Sequence, residues 1–314
     1  KLGYYLWILL LGLWLSGNSR MKGFNDSLTN MGVAVLQPNI DPNAKWDYKK
    51  REKTIAYMDS LHSLAINLNP DLILFPETAL PAYLRLDRHV RDQIQSKVDS
   101  SGIPVLTGTV DRTKSPNGKK QYFNSSMFLT PNHKYILYNK LHLVPFAEYI
   151  PLSDQFPSLN MLNFGQGNFT HGSDYTVFEW KDIKFSNLIC YESSIPGVVR
   201  EFIQQGADML TIQTNDGWLG KSAGPYQHYD VARIRAIENR VPVVRSANTG
   251  ISGLILANGV SIKEQGLGEM AVFKVIVPLG ATGSFYSRNG DVFAMICFVI
   301  FLLLGPIPCI RRRS

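Results

Sequence analysis

The chain has 314 residues, 45% of them hydrophobic, with 32 Lys and Arg against 25 Asp and Glu. That length holds one large α/β domain or two smaller ones and buries a substantial core. The net charge of +7 comes without a basic run interleaved with aromatics, which argues against a nucleic-acid partner; with only three cysteines, two of them in an apolar C-terminal segment, a disulfide framework is not expected either.

In chain order, Leu2 to Leu15 is apolar apart from glycines and the aromatics Tyr4, Tyr5, Trp7 and Trp14. It is short against the roughly 20 residues of a membrane span, but no cleavage site of signal-peptide type follows it. We expect residues 1–17 to be a transmembrane helix closing a membrane domain. Met31 to Gln37 reads as a buried strand. Lys49 to Leu68 has helical spacing, with Ile55, Met58, Leu61, His62, Leu64, Ala65 and Leu68 near one face. Leu72 to Phe75 is the next strand, Asp87 to Ser100 a helix and Val105 to Val110 a strand. This β-α-β-α-β order predicts a layered α/β fold with strand carboxyl ends gathered on one rim.

Asp111 to Lys120 reads as a polar loop, followed by hairpin-like strands at Ser125 to Leu129 and Tyr135 to Tyr138. Val144 to Gly172 is a long aperiodic stretch rich in aromatic and apolar residues. Loops of that length are functional or disordered, and its apolar content disfavours disorder. Strands are expected at Thr176 to Trp180, Lys184 to Ile189, Met209 to Gln213, Val243 to Ser246, Ser252 to Leu256 and Ala271 to Val277. Helices are expected at Pro196 to Gln205 and Gln227 to Asn239. Val292 to Ile310 is uncharged between Asp291 and Arg311-Arg312-Arg313, although Gly305-Pro306-Ile307-Pro308 would end a helix early. We expect a C-terminal transmembrane helix over 291–310, with the arginines on the cytoplasmic side.

Three residues at strand ends have the chemistry of covalent acyl transfer: Glu77, Lys140 and Cys190. On residue statistics alone Cys190 is more often a small buried hydrophobe, Lys140 a surface lysine and Glu77 a solvated loop carboxylate. As a set they supply a thiol nucleophile, a carboxylate base and a fixed cation for an oxyanion. The N–H of Tyr191, next after the cysteine, is placed to help that cation. Glu148, in the apolar stretch Pro145-Phe146-Ala147-Glu148-Tyr149, needs a partner, and Lys140 is a natural one; Glu192 is similarly placed. The six histidines have no metal-ligand spacing, and neither a metal nor a cofactor is expected.

Together, Leu74-Phe75-Pro76-Glu77, Tyr138-Asn139-Lys140, Cys190-Tyr191-Glu192 and Thr214-Asn215-Asp216-Gly217-Trp218 resemble the Glu–Lys–Cys pattern of the nitrilase, or carbon–nitrogen hydrolase, superfamily. The segments Lys140 to Pro151, Gly224 to Asn239, Arg245 to Ser252 and Tyr286 to Asp291 are similar to the apolipoprotein N-acyltransferase family within it. The resemblance implies an α/β fold, a nitrilase-like α-β-β-α sandwich over 31–280 flanked by transmembrane helices. It implies Glu77 as base, Lys140 as oxyanion stabiliser and Cys190 as nucleophile. Trp46, Asn124, Glu148, Tyr191 and Glu192 match supporting or substrate-binding positions.

The activity so implied moves a fatty acyl chain from a membrane phospholipid, through a Cys190 thioester, to the N-terminal cysteine α-amine of an apolipoprotein. It implies a multi-pass protein of the bacterial inner membrane with its catalytic domain on the periplasmic face; we expect a monomer, although the sequence carries no signal of oligomeric state. Family members carry several membrane helices before this domain, so a chain starting with lysine is expected to be a fragment. The alternative is hydrolysis of a small amide or nitrile by the same three residues.

Overall fold

The computed structural model describes residues 2–22, 29–153, 155–162, 168–280 and 283–304. After helix α1 (Leu2–Lys22), the first half of the domain runs β1 (Thr29–Gln37), α2 (Pro42–Lys45), α3 (Arg51–Ile66), β2 (Leu72–Leu74), α4 (Arg88–Ser101), β3 (Val105–Lys114), β4 (Lys120–Thr130) and β5 (Lys134–Asn139). The second half runs β6 (Val177–Trp180), β7 (Ile183–Ile189), α5 (Pro196–Gln204), β8 (Met209–Thr214), α6 (Gly224–Asn239), β9 (Val243–Ala247), β10 (Ser252–Ile255), β11 (Ser261–Gln265) and β12 (Ala271–Leu279). Two helices close it, α7 (Phe285–Asn289) and α8 (Val292–Leu304).

The strands form two six-stranded sheets, ordered β12-β1-β2-β3-β4-β5 and β11-β10-β9-β8-β7-β6. Strand β12 returns from the second half to pair antiparallel with β1. Side chains alternate across a strand, and the alternation sorts the core into layers. On β1, Met31, Val33 and Val35 enter the core between the sheets, with Phe128, Phe178 and Phe185, while Ala34 and Leu36 pack under α3 and α4 with Met58, Leu61, Ile94 and Val98. Helices α5 and α6 cover the second sheet through Val199, Phe202, Ala232 and Ala236. The result is the expected α-β-β-α sandwich.

Sequence patterning misplaces a few boundaries. The polar stretch 111–120 is half strand, because β3 and β4 continue pairing out to Lys114 and Lys120 and leave a turn over 115–119. Strand β11, too polar to signal itself, exists by pairing with β10 at the sheet edge. Helix α6 starts three residues early, at Gly224, with Pro225 in its first turn.

Among the described residues no helix is long and apolar enough to cross a membrane. Helix α1 has 21 residues, but its last turns bring Ser16, Asn18, Ser19, Arg20 and Lys22 into the apolar run. The described part of α8 has 13 residues, about 20 Å at the helical rise, against a hydrocarbon core of roughly 30 Å. Both helices are exposed along their apolar side chains, among them Trp7, Leu13, Phe293 and Phe301. The Gly305–Pro308 break, Cys309 and the triple arginine, and with them the end of the 291–310 span, lie outside the described residues.

Candidate active site

Four parallel-running strands end on one rim, and each is followed by a residue that can do chemistry: the buried Glu77 after β2, Lys140 after β5 and Asp216 after β8, and the half-buried Cys190 after β7. Beneath them the facing sheets are joined by a polar seam. Ser126 donates to Gln213 at 2.5 Å, Asn187 to both, and the Gln213 amide to the carbonyls of Phe75 and Leu106. A buried polar set is tolerated when its members are paired; here it ties the strands that carry the rim to one another.

Glu77 sits on an arch. Pro76 ends the ladder of β2, and the backbone of 76–79 crosses over Gly108, which donates to the Pro76 carbonyl (3.2 Å) and accepts from the Ala79 N–H (3.0 Å). A Cβ at 108 would strike the backbone of Pro76, Glu77 and Thr78. Thr78 itself is left-handed, φ 43°, an unusual state for a β-branched residue. Its carbonyl accepts from Lys45 Nζ at 2.9 Å.

The Lys140 ammonium lies 2.9 and 2.8 Å from the two oxygens of Glu148 and 3.9 Å from Glu77. Asn124, on β4, donates one amide nitrogen to both carboxylates, 2.8 Å to Glu77 and 2.9 Å to Glu148. Glu148 accepts a fourth hydrogen bond, from the Val144 N–H, at 2.8 Å. The lysine with its two carboxylates is thus a closed, buried cluster bridged by one amide.

Cys190 ends β7 in the left-handed region, φ 52°, at the start of a 3-10 turn over Cys190–Ser194. Its carbonyl accepts from Ser193 Oγ (2.8 Å) and His228 Nε2 (3.1 Å). His228 Nδ1 faces Asp216 at 2.8 Å, and Arg245, fully buried, donates to the other Asp216 oxygen at 2.6 Å. Glu192 points inward. One oxygen accepts from Tyr138 Oη and the N–H groups of Leu141 and His142, the other from the Ile189 N–H. It therefore welds the lysine segment to the cysteine turn, a structural post rather than a wall of the substrate site.

The electrostatics are those of a buried site. Burial raises the Glu77 carboxyl above the usual range, although Lys140 and the Asn124 amide oppose it. Burial and the Glu77 charge push the Cys190 thiol up to about 12 against the pull of Lys140. Burial works against the Lys140 ammonium, yet Glu148 and Glu77 outweigh it and raise its pKa. A thiol so placed is protonated at neutral pH, so attack by sulfur requires proton transfer in the same step, and a carboxylate of raised proton affinity is suited to receive it. Lys140 stays a fixed cation.

The structure brings Glu77, Lys140, Asn124 and Glu148 into one bonded cluster whose charges act on Cys190. Trp46 and Tyr191 stand at the surface, about two-fifths exposed. Sequence reasoning missed Lys45, buried beside Trp46 and lowered by burial to about 8, and gave no role to Asp216, His228 or Arg245. A charged residue within Val243-Val244-Arg245-Ser246 was the available signal, since an arginine in a buried strand needs an anion. Among the described residues no group of three His, Cys, Asp or Glu stands close enough to hold a metal ion.

The two sheets with their outer helices superpose on solved amidases. One is an alanine-for-cysteine mutant of the Nesterenkonia AN1 amidase from the nitrilase superfamily, with a TM-score of 0.62 and 18% identity over 85% of this chain and 97% of that one. The fold is therefore nitrilase-like. Residues 32–284 match the Carbon-nitrogen hydrolase family, and the chain belongs to it. It is also 34% identical to the "Apolipoprotein N-acyltransferase" of Chlorobaculum tepidum, over 94% of this chain and 60% of that protein. Against the protein of the same name from Geobacter metallireducens it is 37% identical, over 90% of this chain and 54% of the other. The chain thus spans a little over half the length of these relatives.

Proposed function

We propose that the chain carries the acyl-transfer domain of an apolipoprotein N-acyltransferase, with Glu77 as base, Lys140 as oxyanion cation and Cys190 as nucleophile. Glu77 takes the thiol proton as sulfur attacks the ester carbonyl of a membrane phospholipid. Lys140 and the Tyr191 N–H stabilise the tetrahedral oxyanion. Its collapse breaks the ester C–O bond, the proton on Glu77 passes to the departing oxygen, and lysophospholipid leaves a Cys190 thioester. The α-amine of a diacylglyceryl-modified N-terminal cysteine then attacks the thioester, giving an amide and returning the thiol.

The observation that carries this reading is the Glu77–Lys140–Glu148 cluster whose charges act on the half-buried Cys190 thiol, in a chain a third identical to proteins named for that activity. Glu148 and Asn124 are assigned to fixing Lys140 and Glu77. The apolar donor is supported by half-exposed aromatics within two residues of the buried polar set: Trp46 beside Lys45, Phe146 near Glu148, Tyr191 beside Cys190 and Trp218 near Asp216. In the same reading the apolar α1 and the segment beginning at α8 span or lie against the bacterial inner membrane. They hold residues 31–280 at its periplasmic face as a monomer.

The test is intact-mass analysis of the full-length protein incubated with phospholipid. We expect one acyl chain on Cys190, absent in Cys190→Ala and released to an acceptor peptide bearing a diacylglyceryl cysteine. No adduct with phospholipid, together with turnover of short amides, would reassign the domain to small-amide hydrolysis.

A further inference from the structure

The ion chain behind Cys190 has no part in the chemistry described so far, although it ends on the nucleophile's own backbone. Arg245 and Asp216 are fully buried, and burial of two charges requires close pairing, which the 2.6 Å contact supplies. Arg245 and His228 hold the Asp216 carboxyl well below the usual range, against the effect of burial. The Asp216 carboxylate packs against Gly250, where an added Cβ would strike it, so the ion chain depends on a glycine at that place. Asp216 faces His228 Nδ1, and on the other side of the ring Nε2 lies 3.1 Å from the Cys190 carbonyl and 3.0 Å from Ser193 Oγ. Ser193 directs its single hydroxyl hydrogen to that same carbonyl. A carbonyl only accepts, so Nε2 carries the hydrogen toward Cys190, while Nδ1 lies between the Asp216 carboxylate and Arg245 Nη2, at 3.2 Å.

The carbonyl so held belongs to the peptide between Cys190 and Tyr191. In a trans peptide the C=O and N–H point in opposite directions. Two donors pulling the carbonyl inward therefore aim the Tyr191 N–H outward. That N–H opens the 3-10 turn, where it has no acceptor within the helix. The pull also opposes relaxation of Cys190 from φ 52°.

We propose that His228, backed by Asp216 and Arg245, is a positioning residue that sets the Cys190–Tyr191 peptide so that its N–H faces the oxyanion formed on Cys190. The proposal rests on the acyl-transfer reading only in that a tetrahedral oxyanion forms at this thiol; it is indifferent to the acyl donor.

Two reactions of the same sulfur separate this role from a general structural one. Acylation passes through an oxyanion, whereas displacement of iodide from iodoacetamide does not. In the full-length protein, His228→Ala is expected to lower the rate of Cys190 acylation by about 10- to 100-fold with phospholipid and with p-nitrophenyl butyrate alike. Alkylation by iodoacetamide is expected to stay within about twofold, since it makes no use of the oxyanion donors. His228→Gln, whose amide N–H reaches the same carbonyl, is expected to recover most of the acylation, and His228→Asn, too short to reach it, is not. Parallel loss of acylation and alkylation, or equal acylation by the Gln and Asn variants, would overturn the proposal. If the wild type accepts the butyrate ester but no phospholipid, the donor assignment fails while the butyrate series still decides the role of His228.

Discussion

The turns that carry Glu77 and Cys190 solve one problem in two ways. Each follows a parallel strand, and each contains a non-glycine residue in the left-handed region, Thr78 at φ 43° and Cys190 at φ 52°, a state that costs about 1–3 kcal/mol unless the surroundings impose it. The Glu77 turn is imposed by shape: backbone packed on Gly108, with two main-chain hydrogen bonds and one buried lysine on the Thr78 carbonyl. The Cys190 turn is imposed by charge: Glu192 accepts four donors, and the Arg245–Asp216–His228 chain grips the carbonyl. The first turn should therefore respond to added volume, and the second to removed charge.

The largest effect is expected at Glu192. Glu192→Leu keeps similar bulk but strands Tyr138 Oη and three backbone N–H groups in the interior, at a cost of at least about 4 kcal/mol. Thermal unfolding followed by tryptophan fluorescence should show a large fall in Tm, with Glu192→Gln intermediate because an amide still offers one acceptor. A Glu192→Leu protein as stable as wild type would mean that packing, not charge, holds the cysteine turn.

Gly108→Ala is the matching test on the other side. One methyl group there meets backbone that has no rotamer to yield, so the arch must lift. We expect about 2 kcal/mol of destabilisation and, because Glu77 moves with the arch, a loss of Cys190 acylation of about 100-fold. Glycine-like activity in the alanine variant would show that the arch tolerates volume after all.

A charge effect is also expected behind the first sheet, away from either turn. His62 lies buried between α3 and α4 against the edge of Phe75, and burial lowers it to about 4. Its folded value is below its ordinary 6.5, so the unfolded chain binds the extra proton between those limits. Stability is then full above about pH 6.5 and is lost as pH falls toward 4, by about 2 kcal/mol between pH 7 and 5. His62→Phe should flatten that limb of the stability–pH curve and leave acylation unchanged; a curve as steep as the wild type's would assign the acid sensitivity elsewhere.

How far this division was legible in sequence follows from the range of the forces involved. Strands and helices declare themselves over a few residues, so Glu77, Lys140 and Cys190 could be placed at strand ends, and the need of Glu148 for a cation pointed to Lys140 eight residues away. The order of strands in two sheets, the pairing of β12 back onto β1 and the edge strand β11 depend on contacts hundreds of residues apart or on pairing alone. The same holds for the ion chain, because Asp216 and Arg245 are 29 residues apart with no local pattern joining them. Glu192 was visible as a carboxylate beside the nucleophile that needs a partner, but its direction was not: the 3-10 turn after Cys190 swings it inward, onto Tyr138 and three backbone N–H groups.

The smallest effect, and the one that most sharpens the contrast, concerns Lys45, the single charge on the shape-held side. It is 1% exposed, donates to the Thr78 carbonyl and is lowered by burial to about 8, with Glu77 pulling the other way. Below about pH 8 it is an ammonium near Glu77 and favours the carboxylate form of the base, less strongly than Lys140 does. Lys45→Met keeps the length of the side chain and removes that influence. Burial then raises Glu77 further, so the acid limb of the acylation profile should move to higher pH, with a loss of about threefold on that limb and little on the plateau. The wild type should in turn lose this advantage as Lys45 discharges above about pH 8, and the two profiles should converge there. If the limbs coincide at every pH, Lys45 acts only as a peg under Thr78, and the base turn is held by shape alone.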